Sequence, residues 1–272
     1  MRDPLAVERH AGMRPDARWF QLLRQFVARD LQQRYLGSLS GGLWALLQPL
    51  ALLAIYAVVF VEVLKVRLPD RVGADFVPFL VTALWPWTAF AESLNRSVNA
   101  FPENAGLLSK VALPREVLVL APVVSSFLVH MTGFIAVLLL LVAIGKPIHL
   151  AGMVPATLAM ILLFVFSAGL ALALASLQVF VRDLGHALAQ FLTLLFFLTP
   201  VFYAPEMLPP RIARWLDANP MSGFIGAVRG PLLGMHDGGL SSLLLPAVFA
   251  GVAALLGWWV FRRLQRHLED FL

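Results

Sequence analysis

The chain contains no cysteine among its 272 residues. Disulfides, thiolate metal sites and thiol chemistry are therefore excluded. Charge is also scarce: Asp, Glu, Lys and Arg make up 14% of the sequence, against 60% apolar residues. A soluble domain carries about 25% charged residues. With a mean hydropathy of +0.80, this many apolar side chains cannot all be hidden in a water-soluble core, and the chain reads as an integral membrane protein. No Gly-x4-Gly-Lys-Ser/Thr loop occurs, so the chain cannot hydrolyse ATP by that route. A cleaved signal peptide is not expected, because the first apolar run starts near Leu43, follows a long Arg-rich segment and exceeds an h-region in length.

The net charge of +5 and a pI near 10.2 raise the question of nucleic acid. Position answers it. The basic residues flank apolar runs, which is how membrane topology is set and anionic headgroups are met, so no nucleic-acid partner is expected.

What the chain does contain is a sharp junction. From about Asp16 to Leu36, Trp19, Leu22, Leu23, Phe26, Val27, Leu31 and Tyr35 recur at spacings of three and four, with Arg18, Arg24, Arg29, Gln32 and Gln33 mostly on the other face. That pattern predicts an amphipathic helix lying on a membrane, with Asp16 as its cap. After Gly37-Ser38 and Gly41-Gly42 an uncharged run begins. Six apolar runs follow, at about 43–62, 76–101, 117–145, 150–178, 185–203 and 240–261, each near the roughly 20 residues needed to cross a bilayer. The fold expected is all-α, with about six transmembrane helices. Residues 1–42 form a leading segment, 204–239 a Pro- and Gly-rich stretch with helical pieces near 206–217 and 221–235, and 265–272 a short tail.

An even number of spans puts both termini on one side. With the N-terminus inside, thirteen basic residues fall in inside segments and seven, among them Arg211, Arg214 and Arg229, in outside ones. Arg96 is left within a span. The bias favours cytoplasmic N- and C-termini.

Three intramembrane polar groups stand out. Glu92 and Arg96 are four residues apart and can neutralise each other on one helix face; the other reading sets them at the membrane–water interface. His130 is alone in its run, and no other His or carboxylate lies at a helical spacing that would build a proton relay with it. A hydrogen-bonded packing role is the simpler reading.

Several stretches resemble the membrane subunits of ABC-2 type exporters, and among them the polysaccharide exporters of O-antigen, capsule and teichoic acid. They are Arg29-Asp30-x3-Arg34-Tyr35, Leu43-Trp44-Ala45-Leu46-Leu47-Gln48-Pro49-Leu50, Leu84-Trp85-Pro86-Trp87-Thr88, the loop from Glu103 to Glu116, Val181-Arg182-Asp183-Leu184, Phe197-Leu198-Thr199-Pro200-Val201-Phe202-Tyr203 and Asn219-Pro220-Met221. Together they cover nearly the whole chain in order.

The resemblance implies a homodimeric permease in the bacterial inner membrane, served by two separate ATPase subunits. ATP and Mg are expected on those partners, with no cofactor, metal or catalytic residue on this chain. It implies an N-terminal interface helix, a coupling helix between spans two and three, and short re-entrant helices between spans five and six acting as an outer gate. Arg29, Asp30, Arg34 and Tyr35 would hold the interface helix against the ATPase or lipid headgroups, and Ser38 to Gly42 would let it pivot. In the coupling loop a short helix from Asn104 through Leu107 to Val111, stopped by Pro114, would offer Lys110 and Arg115 to partner carboxylates.

The substrate implied is a lipid-linked polysaccharide, most simply O-antigen. Aromatic rings stack on sugar faces without fixing one register, which suits a sliding polymer. Trp85, Trp87 and Phe90 on span two, and Phe196, Phe197, Phe202 and Tyr203 on span five, are the candidates; an interfacial aromatic belt is the other reading. A permease for a drug or small lipid is the alternative within transport. A membrane-bound transferase needs acidic or His clusters at one membrane face, whereas Glu92, Asp183 and Glu206 are scattered.

Overall fold

The computed structural model describes residues 15–35, 41–65, 68–69, 75–108, 110–111, 113–235 and 240–267. Residues 38–40 of the hinge expected over 38–42, the polar residues Arg67, Asp70 and Arg71, and the tail beyond 267 lie outside them, while Gly41 and Gly42 open a helix. The described residues form helices and connecting turns, with no strand among them.

Helix α1 spans Pro15–Tyr35. Pro15 opens it, as suits a residue with a preset φ and no amide hydrogen to leave unpaired. Helix α2, Gly41–Ala57, continues into a π-helical turn, Val58–Val63. Helix α3, Phe76–Ser97, is followed by two single turns, α4 (Ala100–Glu103) and α5 (Ala105–Leu108). Of the coupling helix expected over 104–111, one turn forms, Ala105–Leu108; Asn104 separates it from α4, its Nδ2 turning back to the Ala100 carbonyl at 2.9 Å.

Helix α6, Arg115–Ala143, follows Pro114, and helix α7 covers Met153–Gln178. Helix α8, Leu184–Phe197, stops short of the run that reaches Tyr203. Proline restricts the residue before it and cannot donate, so Thr199-Pro200 ends the helix there. Helices α9 (Pro210–Asp217) and α10 (Pro220–Leu233) lie in the Pro- and Gly-rich stretch after α8, and α11 (Leu244–Leu264) closes the fold.

Helices α6, α7 with its leading turn, and α11 with its leading turn are long and apolar enough to cross a membrane; α8 and the described apolar part of α2 are shorter apolar helices. Helix α3 has similar length but carries Glu92 and Arg96. It is the central element: α6, α7 and α10 all pack on it, and its ring-bearing residues Phe79, Trp85, Trp87 and Phe90 are buried.

The most extensive pairing is α7 with α11. It is built on glycine. A Cβ at Gly257 would stand 1.9 Å from the Gly169 carbonyl oxygen, and one at Gly169 would stand 2.4 Å from the Ala253 backbone. Without a hydrophobic force between helices in lipid, such backbone approach is the source of van der Waals attraction.

The path of α10 follows from its partners. Phe224, near its start, packs on Phe166, midway along α7, with ring centroids 5.0 Å apart. Its far end meets the turn between α6 and α7, where His149 N donates to the Leu232 carbonyl at 2.9 Å. Helix α10 therefore rises from the interior of the bundle to the end opposite α1. Asn219 caps it, accepting from Met221 N at 3.0 Å, with Pro220 in the first helical position. The same Asn219 donates through Nδ2 to the Leu198 carbonyl and to Thr199 Oγ1, so one amide starts α10 and satisfies the end of α8. Gly234, at φ 66°, closes α10, with Met235 N bonded to the Gly230 carbonyl at 2.9 Å. Only glycine takes that left-handed position without steric cost.

Candidate functional site

The site is a cluster of charges where α1 crosses α3 and α6. Asp30 and Arg34 are one helical turn apart on α1 and share a face. That face turns inward: the Arg34 side chain is 8% exposed and Asp30 14%. Arg34 Nη1 lies 2.6 Å from Glu92 Oε1 on α3. Its Nη2 donates to Ser126 Oγ at 2.7 Å and to Ser125 Oγ at 3.3 Å, both on α6, and its Nε donates to Asp30 at 3.3 Å. Asp30 in turn accepts from Arg96 and from Ser125. All three guanidinium nitrogens of Arg34 are engaged.

The cluster continues deeper. His130 Nε2 lies 2.7 Å from Glu92 Oε2, and His130 Nδ1 lies 3.4 Å from Thr88 Oγ1. Two carboxylates thus face two guanidiniums and one imidazole; Arg34, Asp30 and His130 are shielded from water, while Glu92 and Arg96 stay partly exposed. Charges in such a place persist only when paired and hydrogen-bonded. Removing one partner from a buried pair costs on the order of 3–5 kcal/mol.

Glu92 and Arg96 are on one helix face, as expected, but their direct partners come from elsewhere: Arg34 and His130 for Glu92, Asp30 for Arg96. Same-helix spacing finds neighbours along one helix only, which is why His130 looked isolated. Ser125 and Ser126 are not among the sequence candidates; two adjacent hydroxyls in an apolar run were the available hint.

Beside this cluster, α1, the end of α3, α4 and the start of α6 enclose a polar cavity of about 380 Å³, lined by Arg29, Gln33, Asn95, Arg96, Glu103 and Asn104. Arg29 is exposed, as are Arg18 and Arg24 on the outer face of α1. Tyr35 ends the helix, and its side-chain role lies outside the described residues.

The loop after α5 gathers at the same end. Lys110 is exposed, and Leu107 packs partly against the core. Arg115 does not simply project outward, since it donates to the Gln265 carbonyl after α11. Trp19 Nε1 donates to Glu116 at 3.3 Å, tying α1 to the first turn of α6.

The seven candidate channel aromatics divide. Trp85, Trp87, Phe90 and Phe202 are buried. Trp87 packs on Phe196 at 5.4 Å, Phe196 on Phe202 at 5.1 Å, and Phe202 stacks on Phe60 at 5.0 Å with planes 3° apart. Phe90 continues to Phe166 at 5.8 Å. These rings join α2, α3, α7 and α8, and a ring enclosed by its own protomer has no face free for a sugar. For Trp85, Trp87, Phe90 and Phe202 the sequence expectation is therefore corrected to a packing role. Tyr203 is half-buried, its hydroxyl donating to the Phe197 carbonyl at 3.0 Å. Phe197 alone among the seven stands well out, at 64% exposure.

Arg229, counted above with the outside cations, is buried in α10. It donates to the carbonyls of Phe79, Pro200 and Val201 at 3.2, 2.9 and 3.2 Å. It staples α10 to the start of α3 and to the chain leaving α8.

The sequence model of one family, described as ABC-2 type transporter, matches residues 21–233. An O-antigen export system permease protein RfbA from Klebsiella pneumoniae is 30% identical over 255 residues, covering 93% of this chain and 95% of that one. A protein of the same name from Myxococcus xanthus is 32% identical over 203 residues, covering 74% and 75%. A polysialic acid transport protein KpsM from Escherichia coli is 24% identical over 234 residues, covering 86% and 90%.

Proposed function

The chain belongs to the ABC-2 type transporter family, and from that membership we propose that it is the permease subunit of an ATP-driven exporter that moves a lipid-linked polysaccharide of the O-antigen class across the bacterial inner membrane. The observation that carries this reading is the similarity to an O-antigen export permease along 93% of the chain at 30% identity. A similarity of that reach includes α1, the loop after α3 and the α9–α10 segment, so it extends beyond a shared set of apolar helices.

In this reading two copies of the chain form the channel, each with about six spans, and two ATPase subunits bind on the cytoplasmic side. ATP and Mg sit on those partners. The exposed arginines of α1 and Lys110 face them, with both termini cytoplasmic. Helices α9 and α10 form the outer gate, and Phe197 is the ring offered to the polymer.

The test is depletion of the permease in cells that make the polysaccharide. Lipid-linked glycan should accumulate on the cytoplasmic side, and the chain should co-purify with an ATPase carrying Walker motifs. Undiminished glycan at the cell surface after depletion would overturn the reading.

A further inference from the structure

We propose that Arg34 is a positioning residue of the transport cycle: it locks α1 to α3 and α6 as one body, so that a displacement of α1 by the ATPase arrives inside the membrane domain at Glu92. The proposal rests on the exporter reading and assigns a role within it.

Helix α1 has two polar faces with opposite exposure. Arg18, Arg24 and Arg29 point outward, available to a partner. Asp30 and Arg34 point inward and are withheld from one. A docking role therefore suits the first group and does not suit Arg34. The geometry of Arg34 is that of a lock. With one nitrogen on Glu92 of α3, one on Ser126 of α6 and a third braced by Asp30 of its own helix, the planar guanidinium cannot slide or rotate without breaking bonds to two other helices together. Such an arrangement has discrete positions in place of a continuous range, as a transmitting element requires.

The contact also leads somewhere. From Glu92 the polar string passes to His130 and Thr88. The residue before Thr88 is Trp87, whose ring packs on Phe196 of α8, and Phe196 on Phe202. Phe197, the exposed ring, follows Phe196 directly and packs on it at 5.6 Å. A shift of α1 thus has an unbroken set of contacts to the segment that faces the polymer. Contiguity alone does not establish coupling, so the movement itself has to be measured.

The absence of cysteine makes that measurement direct. Spin labels are placed at the exposed positions Gln25→Cys on α1 and Leu139→Cys on α6, in the permease assembled with its ATPase in lipid nanodiscs. The distance distribution is compared between nucleotide-free and ATP–vanadate-trapped states. The lock predicts no change in the otherwise native protein and a change on trapping in Arg34→Gln. In parallel, Arg34→Gln should lower glycan export by about tenfold while ATP hydrolysis stays within about twofold. A label distance that shifts on trapping in the native background overturns the proposal, because α1 then pivots by itself. So does native export by Arg34→Gln, or a fall in ATP hydrolysis caused by loss of the ATPase, which would make Arg34 a docking contact. If Arg34→Gln does not insert, the native-background distances still decide, with Ser126→Ala as the milder variant. If the native complex exports no glycan, the exporter reading fails while the label distances still judge the lock.

Discussion

The guanidinium of Arg229 lies 3.5 Å from the centroid of the Phe79 ring and donates through Nε to the carbonyl of the same residue. With the Pro200 and Val201 carbonyls on its other nitrogens, it fastens α10 to two other segments. Arg229→Ala leaves these acceptors unpaired in a buried site, and the expected loss is about 3 kcal/mol. Arg229→Lys should recover less than half, because an ammonium lacks the planar fork and stacks poorly on a ring. Thermal unfolding of the purified protein in detergent checks both.

Asn219 has two separable duties. Asn219→Ala should cost about 1 kcal/mol for the lost cap of α10 and should also release the Leu198 carbonyl. Asn219→Asp keeps the cap acceptor and loses only the donor. Hydrogen exchange distinguishes them: α10 amides should exchange faster in Asn219→Ala than in Asn219→Asp, with both variants loosening the end of α8.

The α7–α11 contact tolerates no side chain. Gly257→Val sets new atoms where a Cβ would already stand 1.9 Å from the Gly169 carbonyl oxygen, and the expected destabilisation is about 3 kcal/mol. Gly251, with nothing within 4 Å of a Cβ, is the control, and Gly251→Ala should unfold at the native temperature or above it.

Trp87 and Phe197 should respond in opposite ways. Trp87→Ala empties a buried site and is expected to cost about 4 kcal/mol. Phe197→Ser removes an exposed ring, should change stability by no more than about 0.5 kcal/mol, and should reduce glycan export. Equal export by Phe197→Ser and native protein would remove Phe197 from the polymer path.

Lys110 and Arg115 are likewise separable. Lys110→Glu should uncouple ATP hydrolysis from export while the protein stays in the membrane at native abundance. Arg115→Glu also breaks the bond to the Gln265 carbonyl, so it should lower thermal stability as well. Unaltered transport by Lys110→Glu would dismiss the loop as a coupling element.

Much of this architecture could be read from pattern. The three-and-four spacing of Trp19, Leu22, Phe26 and Val27 marked α1, and the apolar runs marked the helices that follow. Asn219-Pro220 and Gly234 carry the start and stop signals of α10 on their faces. The interior was harder to read. Spacing along one helix proposes Arg96 for Glu92, whereas the direct partners Arg34 and His130 arrive from other helices. Arg229 counts with the outside cations in a tally that sorts charges by the apolar runs around them, and such a tally cannot show the three backbone carbonyls, from α3 and from the chain leaving α8, that make its burial tolerable. For Trp85, Trp87 and Phe90, composition could not separate a ring that meets polymer from one that fills a core, since both call for the same apolar surface.

Helix α8 has 14 residues and so rises about 21 Å, while a bilayer's hydrocarbon layer is about 30 Å thick. Phe191, Leu194 and Leu198 are exposed on and just beyond it in the isolated protomer. Lipid chains beside a helix of that length must shorten or tilt to meet it, a hydrophobic mismatch whose cost grows with the length of boundary left against lipid. Where α8 borders lipid the bilayer would thin around it, and a neighbour covering α8 would relieve that strain.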